Sequence, residues 1–274
     1  MSIIKKKTVI VGSNKLPILI DSTSLDHSKG GRVIVFSHGF KGFKDWGPFN
    51  KIAEEFAIND FVFVKFNFSH NGTTIDNPYD FDNLSAFGNN NFCKELDDLN
   101  FVIDWLCRTY DPKEIIAFGH SRGGGISMLK VNEDNRINKL VTWASPSDFI
   151  SRVLKENKEI WKKKGVAYIY NGRIKKNMPM YYQFYENCLD NQNRLSIKNS
   201  VKNIKIPQLI IHGNNDPTVD VCEAESLNKW NPSSHLHIIK GADHVFGGFH
   251  PYNLHSFPPD LDEAISETVD FLKR

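Results

Sequence analysis

The stretch Glu114-Ile115-Ile116-Ala117-Phe118-Gly119-His120-Ser121-Arg122-Gly123-Gly124 decides how this chain is read. Its first five residues form a short, mostly apolar run, as expected for a strand buried on both faces of a parallel sheet. A helical pattern begins near Gly124. Between the two lies G-x-S-x-G, at Gly119 to Gly123. Short Gly/Ser motifs arise by chance, but a strand–turn–helix setting is where a nucleophile elbow must sit. Such a turn lifts the Ser121 hydroxyl clear of the sheet. Glycines at 119 and 123 leave room for it, where a bulky side chain would clash with neighbouring elements.

A serine hydroxyl is a poor nucleophile without an adjacent base. His244 follows the apolar run Leu236-His237-Ile238-Ile239, and Asp216 follows Gln208-Leu209-Ile210-Ile211. Both therefore fall in loops after strand C-terminal ends, where open α/β sheets place their sites. Of the ten histidines, His120 is expected beneath the serine. His235 and His237 alternate on one strand face, a metal pair that is weighed and set aside. His250 and His255 lie downstream without a matching partner. Asp243 is expected to point away from His244, and Asp148, after the run ending at Trp143, stays open as a rival for the acid. His38-Gly39-Phe40 follows Val33 to Phe36, so the backbone N–H of Phe40 and that of Arg122 are the expected oxyanion donors. The Phe40 ring is free to line a pocket.

Outward from the elbow, apolar runs alternate with helical patterns. Arg32–Ser37, Phe61–Phe68 and Lys139–Trp143 read as further strands. Thr8–Val11 and Leu16–Ile20 flank Gly12-Ser13-Asn14 and read as an antiparallel edge hairpin, with Pro17 suiting an edge strand. Phe49, Ile52, Ala53 and Phe56 repeat at helical spacing, as do Leu96, Leu99, Val102, Ile103 and Leu106. Asp111-Pro112 ends the second helix. Leu261, Ile265, Val269 and Leu272 mark a C-terminal helix. The expected architecture is α/β, a mostly parallel twisted sheet flanked by helices.

The alternation stops between about 147 and 202, which reads as a cap inserted into a core of residues 1–146 and 203–274. Tyr168–Ile174 is expected to be a hairpin, with Asn171-Gly172 in a type I′ turn. Residues 151–205 hold thirteen Lys or Arg against four Asp or Glu. Most of these lysines are expected on a solvated outer face. Met178, Met180, Tyr181, Tyr182, Phe184 and Tyr185 are expected to supply a pocket wall facing Ser121, with simple packing against the sheet as the alternative.

The chain has 274 residues, 40% hydrophobic and 24% charged, with a net charge of +2. That composition excludes disorder and gives no push toward nucleic acid. No apolar run approaches the roughly 18 residues of a membrane span, and no signal segment is read. Cys93, Cys107, Cys188 and Cys222 are scattered, which reads as free thiols in a cytoplasmic protein.

Three matches are recognisable together: His38-Gly39-Phe40, Gly119-His120-Ser121-Arg122-Gly123-Gly124, and Gly213-Asn214-Asn215-Asp216 with Gly241-Ala242-Asp243-His244. On these the chain resembles the α/β-hydrolase superfamily over essentially its whole length. Within it the chain looks like the dienelactone-hydrolase/prolyl-oligopeptidase-like esterases, with a cap similar to that of cinnamoyl (feruloyl) esterases. It differs from the latter in Arg122, where Gln is common, and from true dienelactone hydrolases in Ser121, where they use Cys. The resemblance implies a serine carboxylesterase acting on a small-molecule ester through Ser121, His244 and Asp216. It implies no metal and no organic cofactor. A peptidase or acylaminoacyl hydrolase, a thioesterase or acyltransferase, and a non-catalytic binder are the other readings. No nucleic-acid or membrane partner is expected, and homo-oligomer formation is left open.

Overall fold

A computed structural model describes residues 2–25, 30–155 and 157–274. The chain opens with β1 (Ile4–Val11), β2 (Pro17–Ser24) and β3 (Arg32–Ser37), then α1 (Phe49–Ile58) and β4 (Phe61–Asn67). Next come α2 (Leu84–Gly88), α3 (Phe92–Tyr110), β5 (Glu114–His120), α4 (Arg122–Glu133) and β6 (Ile137–Trp143). After an irregular segment with short elements the pattern resumes at β9 (Gln208–Gly213), α9 (Val221–Trp230), β10 (His235–Ile239) and α10 (Pro259–Lys273). The eight-stranded sheet runs β1-β2-β4-β3-β5-β6-β9-β10. Its strands are parallel from β4 to β10 and antiparallel at β1 and β2.

Why the strand runs are continuously apolar follows from the layers. In β3, Val33 and Val35 face a core that includes Leu96, Leu99 and Ile103 of α3 and Ile126 of α4. Ile34 and Phe36 face the opposite core, with Phe49, Ile52 and Phe56 of α1 and Leu261 and Ile265 of α10. β3 thus buries both of its faces, which is the condition for dropping polar–apolar alternation. Asp111 adopts the left-handed conformation, φ 45°, that ends α3.

Three local expectations are corrected. Pro17 is not on the edge strand: it opens β2, the second strand, opposite Val11 of β1. As the first residue of its strand it is still placed where its missing N–H is tolerated. The 168–174 segment does enter a hairpin, of β7 (Val166–Asn171) and β8 (Lys176–Tyr181). Its last pair is Asn171 opposite Lys176, so four residues make the loop and Asn171 belongs to the strand. The positive-φ residue there is Lys175, φ 52°, and not the Asn-Gly pair of a type I′ turn. The helix after the elbow starts at Arg122, earlier than the glycine pattern suggests.

Between β6 and β9 the chain adds α5 (Ile150–Leu154), α6 (Lys158–Lys164), the β7–β8 hairpin, α7 (Gln183–Asp190) and α8 (Ile197–Asn203). Of these, α8 packs against α4 and α9 in the layer covering the sheet, with Ile197 and Val201 buried in its core. Among the described residues no helix is long and apolar enough to cross a membrane.

Candidate active site

Ser121 links β5 to α4 with φ 54° and ψ −125°. Such a conformation in a non-glycine residue costs of order 1–3 kcal/mol and persists only where the surroundings enforce it. Here the enforcement is close packing. A Cβ on Gly119 would lie 2.2 Å from the Gly123 carbonyl oxygen, and one on Gly123 would lie 2.1 Å from that of Ser37. The Ser121 N–H donates to the Trp143 carbonyl at 2.8 Å, and the Ser121 carbonyl accepts from the Gly124 N–H at 2.9 Å.

His244 is brought to the serine from the loop after β10. Its Nε2 lies 3.0 Å from Ser121 Oγ, and its Nδ1 lies 2.7 Å from Asp216 Oδ2. Asp216, in the loop after β9, has a fully buried side chain. Its Oδ1 accepts the N–H groups of Thr218 at 2.7 Å and Val219 at 2.9 Å. Burial works against its charge, but hydrogen bonds from His212, His244 and the Val219 amide hold its pKa well below the usual carboxylate range. The acid is therefore ionised and acceptor-only, which fixes the proton of His244 on Nδ1 and leaves Nε2 as the acceptor facing the serine.

Two further histidines brace this chain of contacts. His120 is buried, and desolvation pushes its pKa down to about 3, so the ring is neutral. Its Nε2–H donates to the His244 carbonyl at 2.8 Å, fixing the loop that carries His244. His212, on β9, is missed by sequence reasoning. Its Nε2 is 2.9 Å from the Val219 carbonyl and 3.4 Å from Asp216 Oδ2. The sole sequence signal is its place at the end of the strand that delivers Asp216.

The rivals are occupied elsewhere. Asp148 Oδ1 accepts the amides of Ile150 at 2.9 Å and Ser151 at 3.3 Å, capping α5. Asp243 accepts the amides of Val245 and Gly247, folding its own turn. His250 Nδ1 accepts the Gly47 amide at 2.9 Å. His235, His237 and Glu267 offer atoms within 4.8 Å of one another at the sheet edge, where His237 Nε2 is paired with Glu263 at 2.8 Å.

The loop after β3 approaches the serine closely: a Cβ on Gly39 would stand 3.1 Å from Ser121 Cβ. The Gly39 carbonyl accepts from His38 Nδ1 at 2.9 Å and the Gly42 amide at 3.0 Å. Because a peptide unit is planar and trans, tying that carbonyl back turns the Phe40 N–H of the same unit the opposite way. Neither this N–H nor that of Arg122 has an acceptor among the described residues. Arg122 is the first residue of α4, whose end carries unpaired N–H groups and a positive dipole. The loop's far end is tied down by Lys44 and Asp45. With Asp21 and Lys65 they form a charge-balanced network, the Lys44 ammonium 2.6 Å from Asp21 and 2.5 Å from Asp45. Lys65, on central strand β4, pairs with both carboxylates. An isolated charge there would be costly, and pairing offsets part of that cost.

A cavity of about 390 Å³ opens from Ser121. Phe92, Phe149, Trp161, Met180 and Phe184 form its walls. The Arg122 guanidinium sits 4.0 Å over the Phe40 ring and 4.8 Å over Phe92, and its Nη1 reaches Glu95 Oε1 at 3.2 Å. Burial raises the Glu95 pKa, and Arg122 and Asn90 oppose that rise. The cation is thereby offset beside the aromatic walls, and Asp148, Arg152 and Thr218 add further polar groups to the lining.

Of the six residues expected on the wall, Met180 and Phe184 line this cavity and four do not. Met178 packs into a separate cluster with Phe43, Phe81 and Phe87. The Tyr181 ring covers the backbone of Gly88, where an added Cβ would meet it at 2.8 Å. Tyr182 and Tyr185 stack on each other at 5.6 Å, each meeting Trp161 edge-on. One turn of α7 separates them, so they share a face behind Trp161 and turn away from the serine. Tyr168 and Ile169 of β7 line the cavity in their place.

This architecture is the α/β-hydrolase fold. Est1E from Butyrivibrio proteoclasticus, solved with ferulic acid bound, superposes with a TM-score of 0.71 at 14% identity, over 97% of this chain and 100% of that one. A putative hydrolase from Agrobacterium vitis S4 gives 0.74 at 16% identity, over 99% of both chains. Pyrococcus horikoshii acylaminoacyl peptidase gives 0.68 at 17% identity, over 100% of this chain and 42% of that one. No protein-family model and no curated protein matches the sequence.

Proposed function

We propose that the protein is a serine hydrolase that cleaves carboxylic esters through an acyl-enzyme. The reading rests on one observation, the hydrogen-bonded line from Asp216 through His244 to Ser121 at the mouth of an aromatic-walled cavity. Ser121 Oγ bonds to the ester carbonyl carbon while His244 Nε2 takes its proton. The carbonyl electrons move onto oxygen, facing the amides of Phe40 and Arg122. Their return breaks the bond to the alcohol oxygen, which takes the proton from His244. Water, deprotonated by the same histidine, then releases the acid and restores Ser121. Asp216 stays ionised and stabilises the imidazolium. Each oxyanion donor is typically worth about 3–4 kcal/mol.

The acyl group occupies the 390 Å³ cavity, and its walls suit an apolar or aromatic acid of the kind bound to Est1E. Residues 147–202 act as the cap that supplies Trp161, Met180 and Phe184 to those walls. The partner is a small-molecule ester met in the cytoplasm. A panel of nitrophenyl esters, anilides and acyl-CoA thioesters with matched acyl groups tests the reading. Ester turnover well above amide and thioester turnover is expected. Preferential anilide cleavage would favour a peptidase and overturn it.

A further inference from the structure

Ser121 borders a second cavity, of about 220 Å³, on the other side of Phe40. Two cations line each cavity, Arg122 and Arg152 the first and Lys41 and Arg173 the second, but the first also holds Asp148 whereas the second has no carboxylate. It also includes His244, which the first cavity does not. On the proposed reaction, His244 must reach the leaving oxygen to protonate it. The alcohol portion of the ester therefore lies on this side and the acyl portion on the other.

Arg173 is held in the hairpin loop with its guanidinium 4.7 Å over Phe43 and 5.2 Å over Phe81. Stacking fixes the fork but accepts none of its N–H groups. No hydrogen-bond acceptor for the guanidinium is found among the described residues, and Nη2 is buried and unpartnered. Asp80 acts on it only through space, and desolvation lowers its pKa, a cost that a bound anion would relieve. Beside it, Asn171 accepts the Arg173 amide at 3.2 Å through Oδ1. That leaves the buried Asn171 Nδ2 without a partner. Lys41, whose ammonium donates to the Tyr170 carbonyl at 3.3 Å, adds a second positive charge. Both cations of the first cavity are paired, Arg122 with Glu95 and Arg152 with Glu223; Arg173 has no ion pair among the described residues.

We propose that the second cavity is a subsite for an anionic leaving group, and that the preferred substrates are esters whose alcohol portion carries a carboxylate. Arg173 receives the carboxylate, and Asn171 and Lys41 flank it. The inference rests on the ester-hydrolase reading above.

The test compares butyrate esters of ω-hydroxy acids of two, three and four carbons, each against the ester of the corresponding primary amide. The pairs differ in charge and hardly in shape. For at least one length, wild-type kcat/KM for the carboxylate should exceed that for the amide by about 10-fold or more, mostly in KM and declining with salt. In Arg173→Met the ratio should fall to about 1, and Arg173→Lys, which keeps the charge but loses the fork, should retain part of it. A wild-type ratio at or below 1 at every length overturns the proposal, as does a ratio undiminished in Arg173→Met. Fluorophosphonate labelling of Ser121 separates the two levels. A wild-type protein that neither labels nor cleaves any ester loses the hydrolase reading and this inference with it. A protein that labels and cleaves esters without charge preference loses only the inference.

Discussion

Replacing Asp216 by Asn probes the electrostatic logic of the site with almost no change of shape. Asp216 Oδ1 accepts two backbone amides, from Thr218 at 2.7 Å and Val219 at 2.9 Å. An asparagine keeps those bonds only by retaining its oxygen there. Its NH2 then takes the place of Oδ2, 2.7 Å from His244 Nδ1 and 3.4 Å from His212 Nε2. Facing that donor, His244 must turn Nδ1 into an acceptor and carry its proton on Nε2. The ring then donates toward Ser121 Oγ, 3.0 Å away, and no longer accepts. The base is lost by tautomer, without loss of the side chain. Where this switch has been isolated it lowers kcat by about four orders of magnitude, equivalent to roughly 5 kcal/mol of transition-state stabilisation at 1.36 kcal/mol per tenfold. Steady-state hydrolysis of a nitrophenyl ester, with active-site titration to count competent molecules, measures it. A loss of less than about tenfold, in a variant with wild-type unfolding behaviour, would refute Asp216 as the group that sets the histidine tautomer.

Burial pushes His38 down to about 4, so between pH 6.5 and that value the unfolded chain binds a proton that the folded chain does not. Stability falls as pH drops through this window, by about 1.4 kcal/mol per pH unit for this residue. His38→Asn should flatten the wild-type slope by close to that amount in urea titrations within the window, between pH 6 and pH 5. Parallel slopes would count against it. Met180→Trp should fill part of the 390 Å³ cavity and move the acyl-length optimum of nitrophenyl esters toward acetate; an unchanged profile would show that Met180 does not bound the acyl space.

Much of the frame was legible because the responsible residues act locally or repeat regularly. Arg32–Ser37 reads as a strand and is one, since Val33 to Phe36, buried on both faces, leave a continuous apolar signature. Ser121, Asp216 and His244 each follow a recognisable strand, and the sheet converges their loops without any long-range signal being needed. What was not legible depends on which face a side chain presents after an irregular segment. Met178 to Tyr185 crosses from β8 into α7, so the periodicity changes inside the stretch and a uniform wall could not be inferred. Met180 and Phe184 turn inward, while Tyr182 and Tyr185 stack behind Trp161. The network of Asp21, Lys44, Asp45 and Lys65 gave no local sign. Lysine within a central strand is compatible with burial only when its partners arrive from other elements, and sequence spacing does not report them. The hairpin loop is a related case: Asn171-Gly172 favours a two-residue turn, yet cavity-lining Asn171 pairs as a strand residue and the loop lengthens to hold Arg173.

The central claim is that Ser121 is a nucleophile activated by His244. Incubation with a small fluorophosphonate, followed by intact-mass analysis and peptide mapping, tests it without any assumption about the natural ester. One adduct per chain is expected, located on Ser121, formed far faster than on free serine, and absent from Ser121→Ala. No adduct on folded wild-type protein, or an adduct that persists in Ser121→Ala, would contradict the account.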